Sequence, residues 1–544
     1  MNRPLNAHVC FCAPSLSDDP PAMYTVSELL QARAADCADR IFCEFNGTKL
    51  TFSELLNGVQ EMAGVLHSAG VVPGSRVGYM MPSSLEHIQL YLAASWIGAC
   101  AVPFSVHLKS TGLELQILSS QPKVMVASRA FAAHLLNAVK CLPTPPRLLW
   151  LEDGAVDHLQ TTVAHELRSG SAIRHPSPRS LDDPIAISYT SGTTGAPKGV
   201  IMSERFYWVG AKNAGLLSEA HAGDTYFMWE PFFHVAAWMT ILMGLQHGLR
   251  IYMVDRFSAS RLWDEIATAR ATKFHYLGGL VNIMLSQPVV DAERDNTLSI
   301  AWGAACPADS WRRFEERFGV KVREGYGISE GQNFTHVNMQ GVIGSIGRPV
   351  PEFESWIADE SGRPAPAGTV GEIVLKPLVP GITMSGYFGE PLKTREVLRD
   401  DGCVYTGDTG YQDIDGNFFF KGRKKDALRR RGENVSAWEV ERVLNQAPGV
   451  EESAVVGVDS AVGEQDILAI VKFKDGARPD PLALLEFCND RLAYYQVPRY
   501  VKVVSEFPRG PTQRIRKGEL DTSTEQAFDC ERAGWRPKRD TSGG

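Results

Sequence analysis

The alternation of apolar and polar positions along most of the chain predicts strands separated by helices. Residues 51–70 have a helical period, with a capping box available between Thr51 and Glu54 at the start and Gly70 suited to the end. A second helix is predicted over 84–98. Apolar runs typical of strands are RVGYMM, ACAVPF, PKVMVAS, RLLWL, PIAISYT, TYFMWE, RIYMV, KFHYL and LSIAWG. This alternation favours an α/β fold of mainly parallel sheets covered by helices.

The pattern changes near residue 420. Beyond it, helices are predicted near 437–446 and 481–493, with strands at ESAVVGV, DILAIVKF and YVKVVSEF, which together make a small α+β unit. The segment before this unit is polar, charged and punctuated by glycine, as is typical of a linker. We therefore predict a large N-terminal domain over 1–421, a hinge linker over 422–434 and a mobile C-terminal domain over 435–544, with roughly the last 15 residues frayed.

Composition narrows the classes of function. The 544 residues are 44% hydrophobic and 22% charged, which is ordinary globular composition, and the net charge of −8 offers no general positive field for nucleic acid. The first residues lack the apolar region of a signal peptide, and the apolar stretch Ala236–Leu245 is shorter than the ~18 residues of a membrane span. The ten cysteines are scattered, with only Cys10 and Cys12 close together. We therefore expect a cytoplasmic protein without integral membrane association.

The strongest chemical signal is the loop YTSGTTGAPKGV at 189–200, which follows the predicted strand PIAIS. Glycines let backbone amides turn toward an anion, hydroxyls donate hydrogen bonds and a lysine adds charge, so this composition predicts a phosphate-binding loop. It differs from the GxxxxGK[ST] pattern of P-loop proteins. The residues predicted to contact phosphate are Thr190, Ser191, Gly192, Thr193, Thr194, Gly195 and Lys198.

This loop resembles the phosphate-binding signature of the adenylate-forming superfamily, which includes acyl-CoA synthetases, peptide-synthetase adenylation domains and beetle luciferases. Further motifs of that family match in the same order over nearly the whole chain: LTFSEL, WIGACAVP, PFFHVAAW, EGYGISE, YTGDTG and GRKKDALRRRGENVSAWEVE. The last of these is most similar to bacterial medium-sized acyl-CoA ligases, including carnitine- and crotonobetaine-type members. Several independent motifs in the right order make chance agreement negligible.

The resemblance implies a set of nucleotide-binding roles. Asp408 would accept the two ribose hydroxyls of ATP, and Arg423 would contact ribose and phosphate. Glu330 would carry Mg²⁺, a hard ion that prefers oxygen ligands. Tyr326 would stack near the adenine, and Ser329, where the family more often has threonine, would contact the α-phosphate. The remaining residues implied at this site are Gly303, Ala304, Ala305, Glu324, Gly325 and Gly327.

Other motifs imply an acyl site and a hinge. His234 resembles the histidine near the incoming carboxylate, although a lone histidine among aromatic residues is equally typical of a core. Phe233, Trp238 and Trp302 are candidates for an aromatic acyl pocket, again with core packing as the alternative, and such a pocket favours a hydrophobic or cyclic carboxylic acid. Lys425 matches the hinge position, where the small domain would rotate to present one face for adenylation and another for thioester formation.

One position departs from the pattern of the family. A lysine near the C-terminus normally bridges the substrate carboxylate and the phosphate, and in FPRGPTQRIRKGEL the matching residue is Arg514, whereas Lys517 matches a downstream basic position. Arginine keeps the charge but is planar and bulkier, so it does not fill the same slot in the same way. We predict slow adenylation, with thioester formation from preformed acyl-AMP retained. Without the resemblance, this basic run is typical of solvated surface.

The implied enzyme is an acyl-CoA ligase that uses ATP, Mg²⁺ and coenzyme A, with a place in fatty acid metabolism. A carboxylic acid attacks the α-phosphorus of ATP to give acyl-AMP and pyrophosphate, and CoA then displaces AMP. Thr190, Lys198, His234 and Arg514 are the implied catalytic residues. Two alternatives stay open: an enzyme that loads a separate carrier protein, and a degenerate binder of acyl-AMP. The expected partners are the small-molecule substrates, with a homodimer as the candidate assembly and no nucleic acid.

Overall fold

The structure is a computed structural model that describes residues 23–140, 142–152, 160–190, 197–306, 308–359, 361–423, 428–435, 437–460, 463–508, 515 and 517–538. The helices, in chain order, are α1 (Val26–Asp36), α2 (Phe52–Ser68), α3 (Leu85–Trp96), α4 (Ser110–Ser120), α5 (Ala132–Lys140), α6 (Val163–Ser169), α7 (Glu204–Leu217), α8 (Val235–His247), α9 (Leu262–Ala269), α10 (Gly278–Ser286), α11 (Ala308–Phe318), α12 (Pro391–Val397), α13 (Ala437–Leu444) and α14 (Pro481–Asn489).

The strands up to residue 423 are β1 (Ile41–Phe45), β2 (Thr48–Thr51), β3 (Arg76–Met80), β4 (Cys100–Pro103), β5 (Val124–Ala127), β6 (Arg147–Trp150), β7 (Gln160–Thr162), β8 (Pro184–Thr190), β9 (Lys198–Ser203), β10 (Thr225–Met228), β11 (Arg250–Met253), β12 (Lys273–Leu277), β13 (Ile300–Ala304), β14 (Lys321–Ile328), β15 (Gln332–Asn338), β16 (Arg348–Pro349), β17 (Phe353–Ala358), β18 (Gly371–Pro377), β19 (Gly386–Tyr387), β20 (Val404–Gln412) and β21 (Phe418–Arg423). Those beyond are β22 (Leu428–Arg430), β23 (Glu433–Val435), β24 (Val450–Asp459), β25 (Gln465–Phe473), β26 (Tyr500–Val503) and β27 (Phe528–Asp529).

The predicted helix at 51–70 shows how local sequence sets an element. The side chain of Thr51 accepts from the backbone N–H of Glu54, and the Glu54 carboxylate accepts from the backbone N–H of Thr51 at 2.8 Å, so the capping box forms. The helix ends at Ser68, and Gly70 follows with a φ of +96°. Each apolar run that predicted a strand overlaps an observed strand.

Two large sheets form the body of the molecule, as the α/β prediction requires. One has the order β16-β15-β14-β13-β12-β10-β11-β1-β2, and the other has the order β19-β9-β8-β4-β3-β5-β6-β7. Their central strands are parallel, while β2, β9, β15, β16 and β19 pair antiparallel at the edges. Helices α2, α3, α7 and α8 share one apolar core with residues of both sheets, whereas α9 and α11 contribute to a separate core with β12 and β13.

A smaller antiparallel sheet in the order β17-β18-β20-β21 leads to the C-terminal part. Part of the predicted linker is regular, because β22 and β23 form a hairpin between residues 428 and 435. The C-terminal part then contains the sheet β24-β25-β26-β27 and the helices α13 and α14, with its own apolar core. The helix predicted over 481–493 ends at Asn489.

The expectation of a frayed C-terminus is wrong for the residues described there. Strand β27 pairs antiparallel with β26, Cys530 is fully buried and Trp535 packs against the core of the C-terminal part. We call residues 521–538 the C-terminal strap. Polar composition suggested fraying, but tertiary partners order this segment, as shown below.

None of the helices in the described ranges combines the length and apolar character needed to cross a bilayer, and these ranges hold no cluster of three or more His, Cys, Asp or Glu side chains suited to a metal. The described cysteines are all buried: Cys37, Cys43, Cys100, Cys306, Cys403, Cys488 and Cys530.

Candidate functional site

The predicted phosphate loop connects two antiparallel strands. Thr190 at the end of β8 and Lys198 at the start of β9 are register partners, so the hairpin brings the two ends of the loop together. Its residues 191–196, which include Ser191, Gly192, Thr193, Thr194 and Gly195, lie outside the described residues.

Lys198 and Glu330 meet through a tyrosine that the sequence analysis did not single out. The Lys198 Nζ lies 4.7 Å from the centroid of the Tyr387 ring, and the Tyr387 hydroxyl donates to Glu330 Oε1 at 2.8 Å. Tyr387 reaches this position because β19 pairs with β9, where Tyr387 is the register partner of Val200. The phosphate loop and the EGYGISE motif therefore meet at one place, with Ser329 partly exposed beside Glu330.

The two predicted ribose ligands are brought together by a strand pair. Asp408 on β20 and Arg423 on β21 are register partners in the third sheet. Asp408 is 2% exposed, and its Oδ2 accepts from the Tyr326 hydroxyl at 2.8 Å. The tyrosine therefore orients the carboxylate, in addition to any stacking role.

Close packing requires glycine at three positions of the predicted nucleotide site. A Cβ on Gly303 would lie 1.9 Å from the Tyr276 carbonyl oxygen, and a Cβ on Gly327 would lie 2.1 Å from the carbonyl oxygen of Asn333. On Gly325, it would come within 2.6 Å of the Phe334 ring. Ala304 is partly exposed and Ala305 is exposed, so the turn after β13 presents its surface outward.

The buried side chain of Glu324 supports this turn through hydrogen bonds. It accepts from the backbone N–H groups of Ala305 and Cys306, the latter at 3.1 Å, and from the Tyr276 hydroxyl. Ala305 has a φ of +65°, a conformation that costs energy in a non-glycine residue and is held here by these bonds. Burial raises the pKa of Glu324 to about 8, against the lowering effect of the three donors. The side chain is 4% exposed, which favours a supporting role for this predicted ligand.

His234 forms an ion pair with the hairpin of the predicted linker. His234 is the N-cap residue of α8, but its side chain makes no capping bond and instead lies 2.8 Å from Glu433 Oε1, through Nε2. Burial alone lowers the pKa of His234, but the Glu433 carboxylate more than offsets this, so the pKa is raised above 6.5. Burial conversely raises the pKa of Glu433, but His234 more than offsets it, so the net shift is downward.

The tip of this hairpin is a two-residue turn. Arg430 and Glu433 are register partners, and Arg431 and Gly432 between them have φ values of 54° and 80°, as in a type I′ turn. The Gly432 N–H donates to Glu464 Oε2 at 2.9 Å. The turn places Glu433 against His234.

Further contacts join the large and small parts around this point. The His107 ring lies edge-on to Tyr494, with centroids 5.2 Å apart, and 6.0 Å from the centroid of Phe233. The Lys109 Nζ donates to the Asn489 carbonyl at 3.2 Å. Sequence analysis missed the two contacts to the small part, His107–Tyr494 and Lys109–Asn489, because the partners are far apart along the chain, by 380 positions in the second pair.

The aromatic pocket candidates fall into two groups. Phe233 is partly exposed and lies beside His234, with ring centroids 4.7 Å apart. Trp238 and Trp302 are each 1% exposed. Trp238 stacks on Tyr91 and belongs to the main core, as Trp302 also does. The structure thus gives these two tryptophans the core packing that the sequence analysis left open.

Two of the residues of greatest interest, Lys425 and Arg514, lie outside the described residues. Lys517, the nearby basic alternative, forms an ion pair with Glu441 and donates to the Val455 carbonyl at 3.3 Å. These contacts are within the C-terminal part, and they give Lys517 a structural role.

Comparisons with known proteins agree with the motifs. The family model described as AMP-binding enzyme matches residues 30–388, and the model described as AMP-binding enzyme C-terminal domain matches 439–514. A sulfoacetate–CoA ligase from Cupriavidus necator is 30% identical over 511 residues, covering 92% of this chain and 98% of that protein. A crotonobetaine/carnitine–CoA ligase from Salmonella paratyphi B is 28% identical, covering 88% and 94%. The solved structure of the amide bond synthetase McbA from Marinactinospora thermotolerans matches with a TM-score of 0.80 at 25% identity, covering 91% and 99%.

Proposed function

We propose that this chain, which belongs to the AMP-binding enzyme family within the adenylate-forming superfamily, is an acid–thiol ligase that joins a carboxylic acid to coenzyme A with conversion of ATP to AMP. The single observation that supports this most is the convergence of Lys198, which belongs to the phosphate loop, with Tyr387 and Glu330. Cation and carboxylate from separate motifs meet where ATP phosphates are expected. The CoA ligases among its relatives favour thioester formation over the alternatives of carrier loading or binding alone.

The first half-reaction needs positioning and charge neutralisation more than a protein nucleophile. The phosphate loop with Thr190 and Lys198 would hold the phosphates, and Asp408 with Arg423 would hold the ribose. Asp408 is suited to this because a carboxylate can accept from two hydroxyls at once. The substrate carboxylate then attacks the α-phosphorus, forming the acyl–phosphate bond as the bond to pyrophosphate breaks.

The residues present fit a magnesium ion. Glu330 is partly exposed and offers carboxylate oxygens beside the phosphate loop. Mg²⁺ is usually held by one or two carboxylates together with substrate phosphates, so a single carboxylate at this position meets its needs. When bound, the ion would neutralise phosphate charge during adenylation.

The second half-reaction would use the docked small domain. Glu433 reaches His234 beside the predicted acyl site, and the contact requires the hairpin to lie against α8. In this arrangement, CoA would displace AMP from acyl-AMP, forming the carbon–sulfur bond as the carbon–oxygen bond to phosphate breaks. The domain limits 1–421, 422–434 and 435–544 belong to this proposal and are supported by separate apolar cores on the two sides.

We also propose that the acid is hydrophobic or cyclic and that Phe233 lies at its pocket. We further propose that the protein is cytoplasmic, belongs to fatty acid metabolism and forms a homodimer. Light scattering of the purified protein would give the assembly.

The decisive experiment is a screen of carboxylic acids for AMP release that depends on ATP and CoA. The panel should contain aliphatic, aromatic and alicyclic acids together with sulfoacetate and crotonobetaine, and synthetic acyl-adenylates should be tested in parallel with CoA. We expect CoA-dependent product from at least one acid or adenylate. Product with a phosphopantetheinyl carrier protein but not with CoA would favour carrier loading, and binding of adenylate without turnover would favour a degenerate binder.

A further inference from the structure

The C-terminal strap lies beyond the part of the chain that the family models match. The C-terminal family model ends at residue 514, whereas the strap occupies residues 521–538. The strap is nevertheless folded, with β27 paired to β26 and Cys530 buried in the core. Because these contacts fix the strap to the small domain, the strap can restrict the motion of the residues that it contacts.

The centre of the strap is attached to the small domain by charge. Arg499 donates to Asp529 at 3.1 Å and to Asp466 at 2.9 Å, and Asp466 lies 3.2 Å from the Nε of Arg430. Arg430 is 1% exposed and donates from Nη1 to the Val497 carbonyl, so this cluster continues into the base of the linker hairpin. The strap, the sheet and the hairpin therefore share one set of ion pairs.

One strap residue reaches the turn of the hairpin itself. Glu531 Oε1 accepts from Nη2 of Arg431 at 3.3 Å, and Glu531 Oε2 lies 3.6 Å from Nη1 of Arg499. Arg431 is the non-glycine residue with positive φ in the turn, a conformation that persists only when its surroundings support it. Glu433, two residues on, pairs with His234.

We propose that Glu531 is a positioning residue that holds the Arg431–Gly432 turn and thereby places Glu433 against His234 for the thioester-forming step. The role in thioester formation rests on the proposed function, whereas the positioning of the turn by Glu531 does not. The other end of the strap supports the same docked arrangement, because the Lys538 N–H donates to the Asn489 side chain at 2.9 Å, and the Asn489 carbonyl accepts from Lys109 of the large part.

The test compares two carboxylates of the same strap in the full-length protein. Glu531→Gln removes the charge that faces the hairpin, and Asp521→Asn is the matched control, since Asp521 pairs with Lys502 at 2.6 Å on the sheet. Hydrogen exchange should rise about five-fold in peptides covering 428–435 of Glu531→Gln and stay unchanged there in Asp521→Asn, as expected for loss of one partly exposed ion pair. Arg431→Gln combined with Glu531→Gln should add nothing to Arg431→Gln alone.

Equal exchange of the hairpin in the wild type and Glu531→Gln would overturn the proposal. So would a rise that appears only with loss of protection throughout 521–538 and equally in Asp521→Asn, since Glu531 would then hold the strap alone. With an acid or acyl-adenylate from the panel, Glu531→Gln should slow the CoA step and leave ATP–pyrophosphate exchange unchanged. If no member of the panel reacts, the proposed function fails, while the exchange data still decide the role of Glu531.

Discussion

The two halves of the candidate site are held in different ways. The nucleotide half is built from buried hydrogen bonds within the large part, where Asp408 is 2% exposed and Glu324 is 4% exposed. The hairpin half approaches from the small part, and its Glu433 meets His234 through a pair whose side chains are 16% and 34% exposed. The Arg431–Glu531 pair behind it is also partly exposed, at 32% and 26%.

This difference suits the division of work that we propose. Buried bonds cost much to break, so they keep the nucleotide half in one geometry. Partly exposed ion pairs contribute roughly 1 kcal/mol or less each, so contacts of this type can be exchanged when the small part changes its position. In the mechanism that we propose, the nucleotide half would hold ATP in a fixed position, and the hairpin half would take part only when the small part is docked.

Asp408→Asn should have the largest effect of the variants proposed here, because it weakens nucleotide binding. The amide keeps a partner for Tyr326 but loses the charge, and two charge-assisted hydrogen bonds to ribose at about 1.5 kcal/mol each predict a loss of about 100-fold in ATP–pyrophosphate exchange. Tyr326→Phe keeps the carboxylate and should cost far less. An Asp408→Asn enzyme with unchanged dependence on ATP would show that this carboxylate does not bind the nucleotide.

Arg514→Lys should change the rate of adenylation alone, and so separate the two half-reactions. A lysine would supply the compact charge that the family pattern has at this position, so ATP–pyrophosphate exchange should rise about ten-fold or more, with the CoA step from preformed acyl-AMP unchanged. Lys517→Arg is the matched control, because Lys517 pairs with Glu441 inside the small part. If exchange does not respond to Arg514→Lys, the match of this position to the family lysine is incorrect.

Glu433→Gln should weaken the hairpin half in a pH-dependent way. The pKa of His234 is raised, so its share of the docking energy is complete below 6.5 and is lost as pH rises through the raised value. The pKa of Glu433 is lowered, so its share is complete above 4.5 and is lost as pH falls through the lowered value. The pair therefore contributes fully between pH 4.5 and 6.5.

The measurement is the ratio of wild-type to Glu433→Gln rates for the CoA step, because the ratio cancels titration of the CoA thiol. We expect about a five-fold ratio near pH 6 that shrinks toward one at higher pH. Glu506→Gln, at a side chain that is 74% exposed and pairs with Lys472 of β25, is the control. A ratio that does not vary with pH would mean that the His234–Glu433 pair does not govern docking.

How far the sequence could predict this molecule depends on the range of the interaction. Thr51 and Glu54 are three residues apart and form the capping box that their types predict. The family motif predicted Asp408 as a ribose ligand, but only the register of β20 and β21 shows that Asp408 lies opposite Arg423. Glu433 lies in a segment whose polar, glycine-punctuated composition predicts a linker, whereas its partner His234 is 199 positions away. No local pattern marks such a pair.

The strap illustrates the same limit. Its sequence is polar, and composition predicted fraying for the part of it that lies within roughly the last 15 residues. The order comes from Arg499, whose guanidinium is brought to Asp529 and Asp466 by the β25–β26 pairing. A charged residue contributes to stability here because the sheet has already placed its partners.

Among these variants, Glu324→Gln should give the smallest change. It should show how the buried Glu324 side chain affects the stability of the nucleotide half. Because the pKa of Glu324 is raised from 4.5 to about 8, its contribution to stability is complete below pH 4.5 and is lost progressively as pH rises to about 8. The glutamine does not titrate, so the decline in thermal unfolding temperature between pH 5 and 8.5 should be shallower than in the wild type. Glu354→Gln, at a side chain that is 58% exposed, should follow the wild-type slope. Parallel slopes in Glu324→Gln and wild type would show that Glu324 is ionised at low cost, and the turn at Ala305 would then be held by a carboxylate throughout this range.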